Sequence, residues 1–353
     1  MRLHRPVLAL GAVLALTLAA CGGQNSGAGP AQSSTADALS ARTQIKVVYS
    51  PGVVPNSLVA IADKLGFFDR EKLELVPFAQ QAATTSAQLL ASGQVDFATA
   101  VLPNVIDTLK EQGLHVLLVT GTSRRQPVQI LCKPSLGIQG TFPQTFSTLK
   151  GKTVAVTAAA TPSDNILRYT ILSAGLSLTD MQIIHAGNTG TINSALMAGK
   201  VDCAYAQEPF PAQFGSAYSS AVNYAGTEQP KALQDLIFAP VAAGPTILSN
   251  RPVLRAFARA MLAAATFAND PGNANKIAQA LLPDFSGVTV EQLTKVYQSC
   301  AGIWTAELTP QMFSNFSEII ATASGKPTSY SSADYVSPDV QDLVSTPAPP
   351  AAK

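Results

Sequence analysis

Short apolar runs alternate with amphipathic segments along most of the chain. Residues 45–49 form the first apolar run, and its length and β-branched residues predict a strand. The next segment has the apolar spacing of a helix and a glycine that ends it, at Leu58, Ile61, Ala62, Leu65 and Gly66. Helical patterns separate most of the further predicted strands, at residues 73–76, 95–98, 116–120, 153–157, 181–184 and 201–205. This alternation predicts βαβ units with parallel strands, and therefore an α/β fold.

One motif occurs twice, at the same place in two successive runs of strands and helices. Residues 90–98 (Leu-Ala-Ser-Gly-Gln-Val-Asp-Phe-Ala) match residues 197–204 (Met-Ala-Gly-Lys-Val-Asp-Cys-Ala) apart from a single deletion. In each copy a glycine ends a helix and Val-Asp opens a strand. A chance match in an alanine-rich chain is the alternative, but the shared position within each run favours a repeat. We therefore predict two α/β lobes of similar construction.

Two crossing segments are predicted to join these lobes. Residues 123–127 are polar and end in proline, which indicates the first crossing. An extended, proline-interrupted stretch beginning at Ile237 indicates the return. The first lobe is accordingly discontinuous, with residues 44–124 and 245–344, and the second lobe has residues 125–244.

The C-terminal part of the chain predicts four helices that pack back on the first lobe. They lie at residues 252–269, 273–282, 290–302 and 310–324. Proline and alanine dominate residues 345–353, which we expect to form a disordered tail.

The N-terminus resembles a bacterial export signal. Two arginines precede an apolar run at residues 7–19, which is too short to span a bilayer. The run is followed by Ala20 and Cys21, and the sequence Leu-Ala-Ala-Cys resembles a lipobox, in which the cysteine is acylated and becomes the first mature residue. An ordinary signal with a chance cysteine is the alternative. We predict a signal peptide at residues 1–20, a lipidated Cys21, and a flexible tether at residues 21–43 that holds the protein on the extracytoplasmic side of a bacterial cell membrane.

Composition excludes several classes of protein. Hydrophobic residues make up 47% of the chain and charged residues 13%, which excludes a disordered protein. The formal net charge of +1 leaves no basic excess for binding nucleic acid. Three histidines and four cysteines provide little material for a metal site, and no cofactor is expected.

The cysteines other than Cys21 are odd in number. Cys132, Cys203 and Cys300 allow at most one disulfide, and their pairing cannot be read from the sequence. Cys132 and Cys203 lie in apolar, strand-like runs. Buried reduced thiols are therefore the favoured interpretation.

Several motifs in order resemble one family of transport proteins. A first helix ends in Lys-Leu-Gly-Phe-Phe at residues 64–68, and the repeated motif, residues 149–156 and residues 198–209 follow at similar spacing. Together they resemble the nitrate, sulfonate, taurine and thiamine-precursor solute-binding proteins of ABC importers, the SsuA/THI5-like or NMT1-type family. The resemblance implies a type II periplasmic-binding-protein fold, a monomer that binds a small solute between its lobes and passes it to an ABC permease.

Candidate ligand-binding residues follow the strands, because ligands of open α/β sheets bind beyond the carboxyl ends of the strands. Helix capping is the alternative role for most of them, and Glu208 is equally well explained as a solvated or hinge carboxylate. The candidates in the first lobe are Ser50, Asn56, Ser57 and Asn104. The candidates in the second lobe are Thr161, Ser163, Asn188, Gln207 and Glu208.

Three functions are compatible with these observations. The first is solute binding for an importer, with a sulfonate, nitrate, a pyrimidine or an aromatic compound as ligand. The second is an enzyme similar to thiamine-pyrimidine synthases, but the scattered cysteines do not match the cysteine-rich motif of those enzymes, so we predict a protein that is not an enzyme. The third is a membrane-tethered sensor or interaction protein with the same fold. The low charge favours a neutral or weakly anionic organic ligand.

Overall fold

The computed structural model describes residues 37–79 and 83–345. The predicted signal peptide, Cys21 and most of the predicted tether lie outside the described residues, as does nearly all of the predicted tail. Two five-stranded sheets, flanked by helices, form the described part of the chain. The predicted α/β class is confirmed.

The first sheet has the strand order β2-β1-β3-β10-β4. β1 is parallel to β2 and β3, whereas β10 is antiparallel to β3 and β4. The strands are β1 (Thr43–Tyr49), β2 (Leu73–Ala79), β3 (Phe97–Thr99), β4 (Leu117–Thr120) and β10 (Val241–Ala243). The helices of the same core are α1 (Ser57–Lys64), α2 (Phe67–Arg70), α3 (Ala83–Ala91), α4 (Pro103–Glu111), α9 (Arg251–Ala268), α10 (Ala274–Leu281), α11 (Val290–Ser299), α13 (Ser332–Tyr335) and α14 (Gln341–Val344).

The second sheet has the strand order β7-β6-β8-β5-β9. β6 is parallel to β7 and β8, and β5 is antiparallel to β8 and β9. The strands are β5 (Val128–Cys132), β6 (Thr153–Val156), β7 (Gln182–His185), β8 (Cys203–Gln207) and β9 (Ser219–Asn223). The helices are α5 (Gln144–Ser147), α6 (Pro162–Ser173), α7 (Thr189–Met197) and α8 (Phe210–Phe214).

The repeated motif has the same structural role in both lobes. Asp96 Oδ2 accepts the backbone N–H of Lys46 in β1 at 2.8 Å, and Asp202 Oδ2 accepts that of Thr153 in β6 at 3.0 Å. Each aspartate thus ties its own strand to the neighbouring parallel strand, at the middle of β1 and at the start of β6. The glycines that end the preceding helices both have left-handed backbone, with φ of 71° at Gly93 and 67° at Gly199. A left-handed residue there favours glycine, which explains why the motif repeats.

One predicted lobe boundary differs from the structure. Residues 125–244 were assigned to the second lobe, but β10 (Val241–Ala243) lies in the middle of the first sheet, between β3 and β4. The chain therefore returns to the first lobe before Val241. β10 has only three residues between Pro240 and Gly244, so its sequence has the pattern of a connecting segment. Gly244 is required there, since a Cβ atom would lie 2.7 Å from the carbonyl oxygen of Leu90.

The helix α12 (Pro310–Ser324) contacts both lobes, although we expected it to pack on the first. Phe313 and Phe316 belong to the core of the first lobe, whereas Ile319, one turn later, belongs to the core of the second. Glu318 accepts a hydrogen bond from the hydroxyl of Tyr169 in α6 at 2.5 Å. The apolar stripe of α12 is long enough to cover two cores, and its sequence does not distinguish them.

The described residues include 37–43, which were predicted to belong to the flexible tether. β1 starts at Thr43, and Asp37 forms an ion pair with Arg255 in α9, with 2.7 Å between Nε and Oδ2. In the described residues, no helix combines the length and apolar character needed to cross a bilayer.

A disulfide joins Cys132 in β5 to Cys203 in β8. The two residues lie directly opposite each other in the antiparallel pair, and both are fully buried. The favoured interpretation of reduced thiols is therefore wrong for this pair. An antiparallel register can bring two cysteines of distant sequence into contact, and no local pattern reports it. Cys300 is a free, buried thiol.

Candidate functional site

A cavity of about 340 Å³ lies between the two lobes, beyond the carboxyl ends of their strands. The first lobe contributes Ser50, Val53, Pro55, Asn56, Ala100 and Leu102. The second lobe contributes Thr157, Pro162, Ser163, Gly187, Asn188, Thr189, Tyr205 and Gln207. The second crossing segment contributes Phe238 and Ala239. None of these lining residues carries a charged side chain, so the cavity can recognise a solute through hydrogen bonds, backbone dipoles and apolar contact.

Three hydroxyl groups cluster at the start of α6. The Thr157 Oγ1 atom lies 2.7 Å from Ser163 Oγ and 2.9 Å from Thr161 Oγ1, and Ser163 Oγ also accepts the backbone N–H of Thr157 at 3.1 Å. Ser163 is the second residue of the helix, because Thr161 is the N-cap and Pro162 begins the helix. A hydroxyl can donate one hydrogen bond and accept two, so the hydrogen bonds within this cluster fix the orientation of the three hydroxyl groups.

The start of α7 provides a second polar wall. Asn188 is its N-cap, and Asn188 Oδ1 accepts the backbone N–H of Thr191 at 3.0 Å. Thr189 Oγ1 donates to Gln207 Oε1, at the end of β8, at 3.3 Å. Tyr205 precedes Gln207 by two residues and therefore lies on the same face of β8, where its ring also lines the cavity.

Two alanines in the cavity wall have left-handed backbone conformations. Ala100 follows β3 with φ of 63°, and Ala239 lies in the second crossing segment with φ of 46°. Non-glycine residues in this region are strained and are concentrated at functional sites. Each of these residues contributes only a methyl group to the cavity wall.

Four helical segments begin at the cavity. Asn56, Leu102, Ser163 and Asn188 stand at or beside the starts of α1, α4, α6 and α7, and all four residues line the cavity. Backbone N–H groups in a first helical turn lack intrahelical partners, and the helix dipole gives that end a partial positive charge. The cavity therefore suits hydrogen-bond acceptors and delocalised anions better than cations.

The structure places five of the nine predicted ligand-binding residues on the cavity wall: Ser50, Asn56, Ser163, Asn188 and Gln207. The other four are not among the lining residues, although Thr161 contacts two of them through its hydroxyl. Ser57 Oγ accepts the hydroxyl of Tyr297 at 2.7 Å, and Thr161 Oγ1 donates to the carbonyl of Ala158 at 2.6 Å. Asn104 is exposed on α4. Glu208 follows the last cavity residue of β8 and is described below. Ligand contact by all nine residues remains a prediction.

The carboxyl group of Glu208 lies between the end of β8 and the start of α8. Its Oε2 atom accepts the backbone N–H of Ala212 in α8 at 3.1 Å. Burial raises the pKa of Glu208 to about 7, although hydrogen bonds from Ala212 and from the Gln129 side chain act in the opposite direction. This carboxyl therefore exchanges a proton near neutral pH, next to the cavity.

The apolar part of the wall was not among the predicted site residues. Val53, Leu102 and Phe238 line the cavity, and so does Tyr205. The spacing of Tyr205 from Gln207 could have identified Tyr205, since alternate residues of a strand share a face. Phe238 has no comparable signal, because its position depends on how the second crossing segment returns. Within the described residues, no three His, Cys, Asp or Glu side chains come together as a metal site.

Comparisons with known proteins agree with this architecture. The family model described as NMT1/THI5 like matches residues 57–274. Comparison with curated proteins finds no match.

Solved structures of binding proteins share the fold. The alkanesulfonate-binding protein SsuA from Xanthomonas axonopodis pv. citri, bound to MOPS, superposes with a TM-score of 0.64 at 14% identity, over 84% of this chain and 99% of that chain. The aliphatic sulphonate-binding protein SsuA from Escherichia coli has the same TM-score and identity, over 85% and 98%. The nitrate-binding protein NrtA from Synechocystis PCC 6803 has a TM-score of 0.57 at 14% identity, over 72% and 69%. These similarities confirm the predicted periplasmic-binding-protein fold.

Proposed function

Because the chain belongs to the NMT1/THI5-like family, we propose that it is an extracytoplasmic solute-binding lipoprotein that captures a small organic molecule and delivers it to an ABC importer. The observation that carries this proposal is the cavity between the lobes, with hydrogen-bonding groups on both walls. Its volume of about 340 Å³ is within the range of small-molecule sites.

The proposed mechanism is closure of the two lobes around the solute. Hydroxyls of Thr157 and Ser163, together with helix N-termini, bind acceptor atoms from the second lobe, while Ser50 and Asn56 approach from the first. Closure about the crossing segments removes the solute from water and forms a surface that a permease can recognise. Arg124, in the first crossing, holds Glu307 at 2.8 Å and thereby orients the hinge.

The proposed membrane attachment depends on Cys21, which lies outside the described residues. Acylation of this cysteine would keep the protein beside its permease. Mass spectrometry of the mature N-terminus tests the modification directly. Acyl chains should be found on Cys21 of the wild type and be absent from Cys21→Ser, and a wild-type protein with an unmodified Cys21 would contradict lipid anchoring.

Solute binding is tested by thermal denaturation with a panel of compounds. Taurine, MOPS, nitrate, the pyrimidine precursor of thiamine and benzoate represent the solute classes of the resemblance and of the similar structures. A compound that binds only the folded protein stabilises it by about 2.7 kcal/mol at a hundredfold excess over Kd. No stabilisation by any compound, together with no co-purified small molecule in native mass spectrometry, would contradict the proposal.

Two matched asparagine variants locate the site. Asn56 lines the cavity, is 8% exposed and makes no capping hydrogen bond with its side chain, whereas Asn104 is exposed and lies outside the cavity wall. Asn56→Ala should weaken binding of the stabilising panel compound about tenfold, as expected for one lost hydrogen bond. Asn104→Ala should leave the Kd unchanged. Equal Kd values for the two variants would place the solute elsewhere.

Delivery is distinguished from sensing by uptake. Cells without this protein should lose import of the compound that it binds, and the Asn56→Ala variant should restore import only at higher concentration. Unchanged import would favour a membrane-tethered sensor with the same binding site.

A further inference from the structure

A second, smaller cavity lies directly behind the first. Its volume is about 20 Å³, and it lies between α6, α12 and the two crossing segments. Leu102, Pro162 and Phe238 line both cavities, so these three side chains form the wall that the cavities share. A ligand group that extended past these three side chains would leave the main cavity and approach α12.

The walls of the second cavity are almost entirely apolar. Gln126 and Asn165 are its polar members. The apolar members besides the three shared residues are Ile166, Leu236, Ile237, Phe316, Ile319 and Ile320. A water molecule needs two to four polar partners, and this wall has few polar groups to hold one. The volume is sufficient for a group about the size of a methyl.

One buried donor in this wall has no partner. The Gln126 side chain lies in the first crossing segment and is 1% exposed. Its Oε1 atom accepts the hydroxyl of Tyr205, which lines the main cavity, but its Nε2 atom has no hydrogen-bond partner among the described residues. An unpaired buried donor destabilises a folded protein, and such groups are rare in native structures. Gln126 therefore has a hydrogen-bonding capacity that a ligand atom can use.

We propose that the second cavity is a subsite for the far end of the bound solute, and that Gln126 Nε2 donates a hydrogen bond to an acceptor atom at that end. This inference rests on the proposed function, since the near end of the solute occupies the main cavity. The solute is then an elongated amphipathic molecule. Its acceptor-rich head meets the starts of α6 and α7, and only a terminal group of about methyl size, such as a carbonyl oxygen, extends into the second cavity. Gln126 selects for that acceptor.

The first test uses xenon and the ligand-free protein, so its result does not depend on the proposed function. A crystal pressurised with xenon should show the anomalous signal of xenon between Ile166, Ile319 and Phe238, with no ordered water on Gln126 Nε2. Ile320→Phe should abolish the xenon signal by filling the cavity, and Ile320→Leu, which keeps the volume, should retain it. A water that bridges Gln126 Nε2 to other polar atoms, or the absence of xenon, would overturn the subsite.

The second test adds the panel compound that stabilises the protein most. That compound should displace xenon from the second cavity. Because Gln126 also accepts the Tyr205 hydroxyl, Gln126→Met is compared in the Tyr205→Phe background, where it should weaken binding about tenfold, the ratio expected for one hydrogen bond. A compound that stabilises the protein but leaves xenon in place would occupy the main cavity alone and overturn the proposal. If no panel compound stabilises the protein, that result counts against the proposed function, and the xenon crystals still decide on the second cavity.

Discussion

The disulfide between Cys132 and Cys203 closes a loop that contains most of the second lobe. The two cysteines are 71 residues apart, and the loop between them includes β6, α6, β7 and α7. The perturbation is the double variant Cys132→Ala/Cys203→Ala, which removes the covalent link without placing a polar group in the core. Its effect should therefore be largest on the second lobe.

The magnitude follows from the entropy of the unfolded chain. A link across 71 residues restricts the unfolded state enough to stabilise the fold by about 4 kcal/mol in the chain-entropy treatment. With a urea dependence of about 2 kcal/mol per molar, the unfolding midpoint should decrease by roughly 2 M.

The assay is urea unfolding followed by two signals. Circular dichroism reports both lobes, while the fluorescence of Trp304 reports the first lobe, in whose core it is buried. The dichroism midpoint should decrease in the double variant, and reductant should have the same effect on the wild type. Cys300→Ala is the matched control, because it removes a buried thiol that is not part of the disulfide. This variant should remain as sensitive to reductant as the wild type. Equal midpoints for wild type and double variant, or two extra reactive thiols in the denatured wild type, would refute the reasoning.

Two further predictions concern protonation and backbone conformation. Burial raises the pKa of Glu208 from 4.5 in the unfolded chain to about 7 in the folded protein, so the free energy of unfolding should fall by roughly 3 kcal/mol as the pH rises between these values. Glu208→Gln should remove this pH dependence. A variant that keeps the wild-type pH profile in urea titrations would contradict the prediction. Gly52→Ala should lower the free energy of unfolding by more than Gly113→Ala. Both glycines have positive φ, but a Cβ atom would clash with a backbone oxygen, that of Asp284, only at Gly52. Equal melting temperatures for the two alanine variants would show that the loop of Gly52 can move aside.

Local periodicity was enough to predict the regular parts of the fold. The strands β1, β6 and β8 are mostly apolar, and helices such as α1 end at glycines, so both patterns are visible in a window of a few residues. The repeated Val-Asp was also informative, since each aspartate makes the same bond to a neighbouring strand. These features depend on neighbours in sequence or on one repeated contact.

The features that were missed depend on long-range packing. β10 is stabilised by β3 and β4 on its two sides, and its three residues carry no strand pattern of their own. The disulfide depends on the register between β5 and β8, which is set by the sheet as a whole. Similarly, Phe238 reaches the cavity because of the path of the second crossing segment. Polar residues after strands were found more easily, because topology alone places the carboxyl ends of strands at the cleft.

The volume of the cavity and the charge of its wall restrict the class of solute further than family membership does. Nitrate would fill only a small part of a cavity of about 340 Å³, whereas an organic molecule would contact both its polar and its apolar walls. The helix N-termini contribute roughly half an elementary positive charge each, and among the described lining residues none is a carboxylate that could bind an amine. We therefore expect organic acceptors to bind more tightly than nitrate, and a cation such as choline to bind least. Calorimetry that ranked choline above the anionic and neutral compounds would show that another group, such as ionised Glu208, controls recognition.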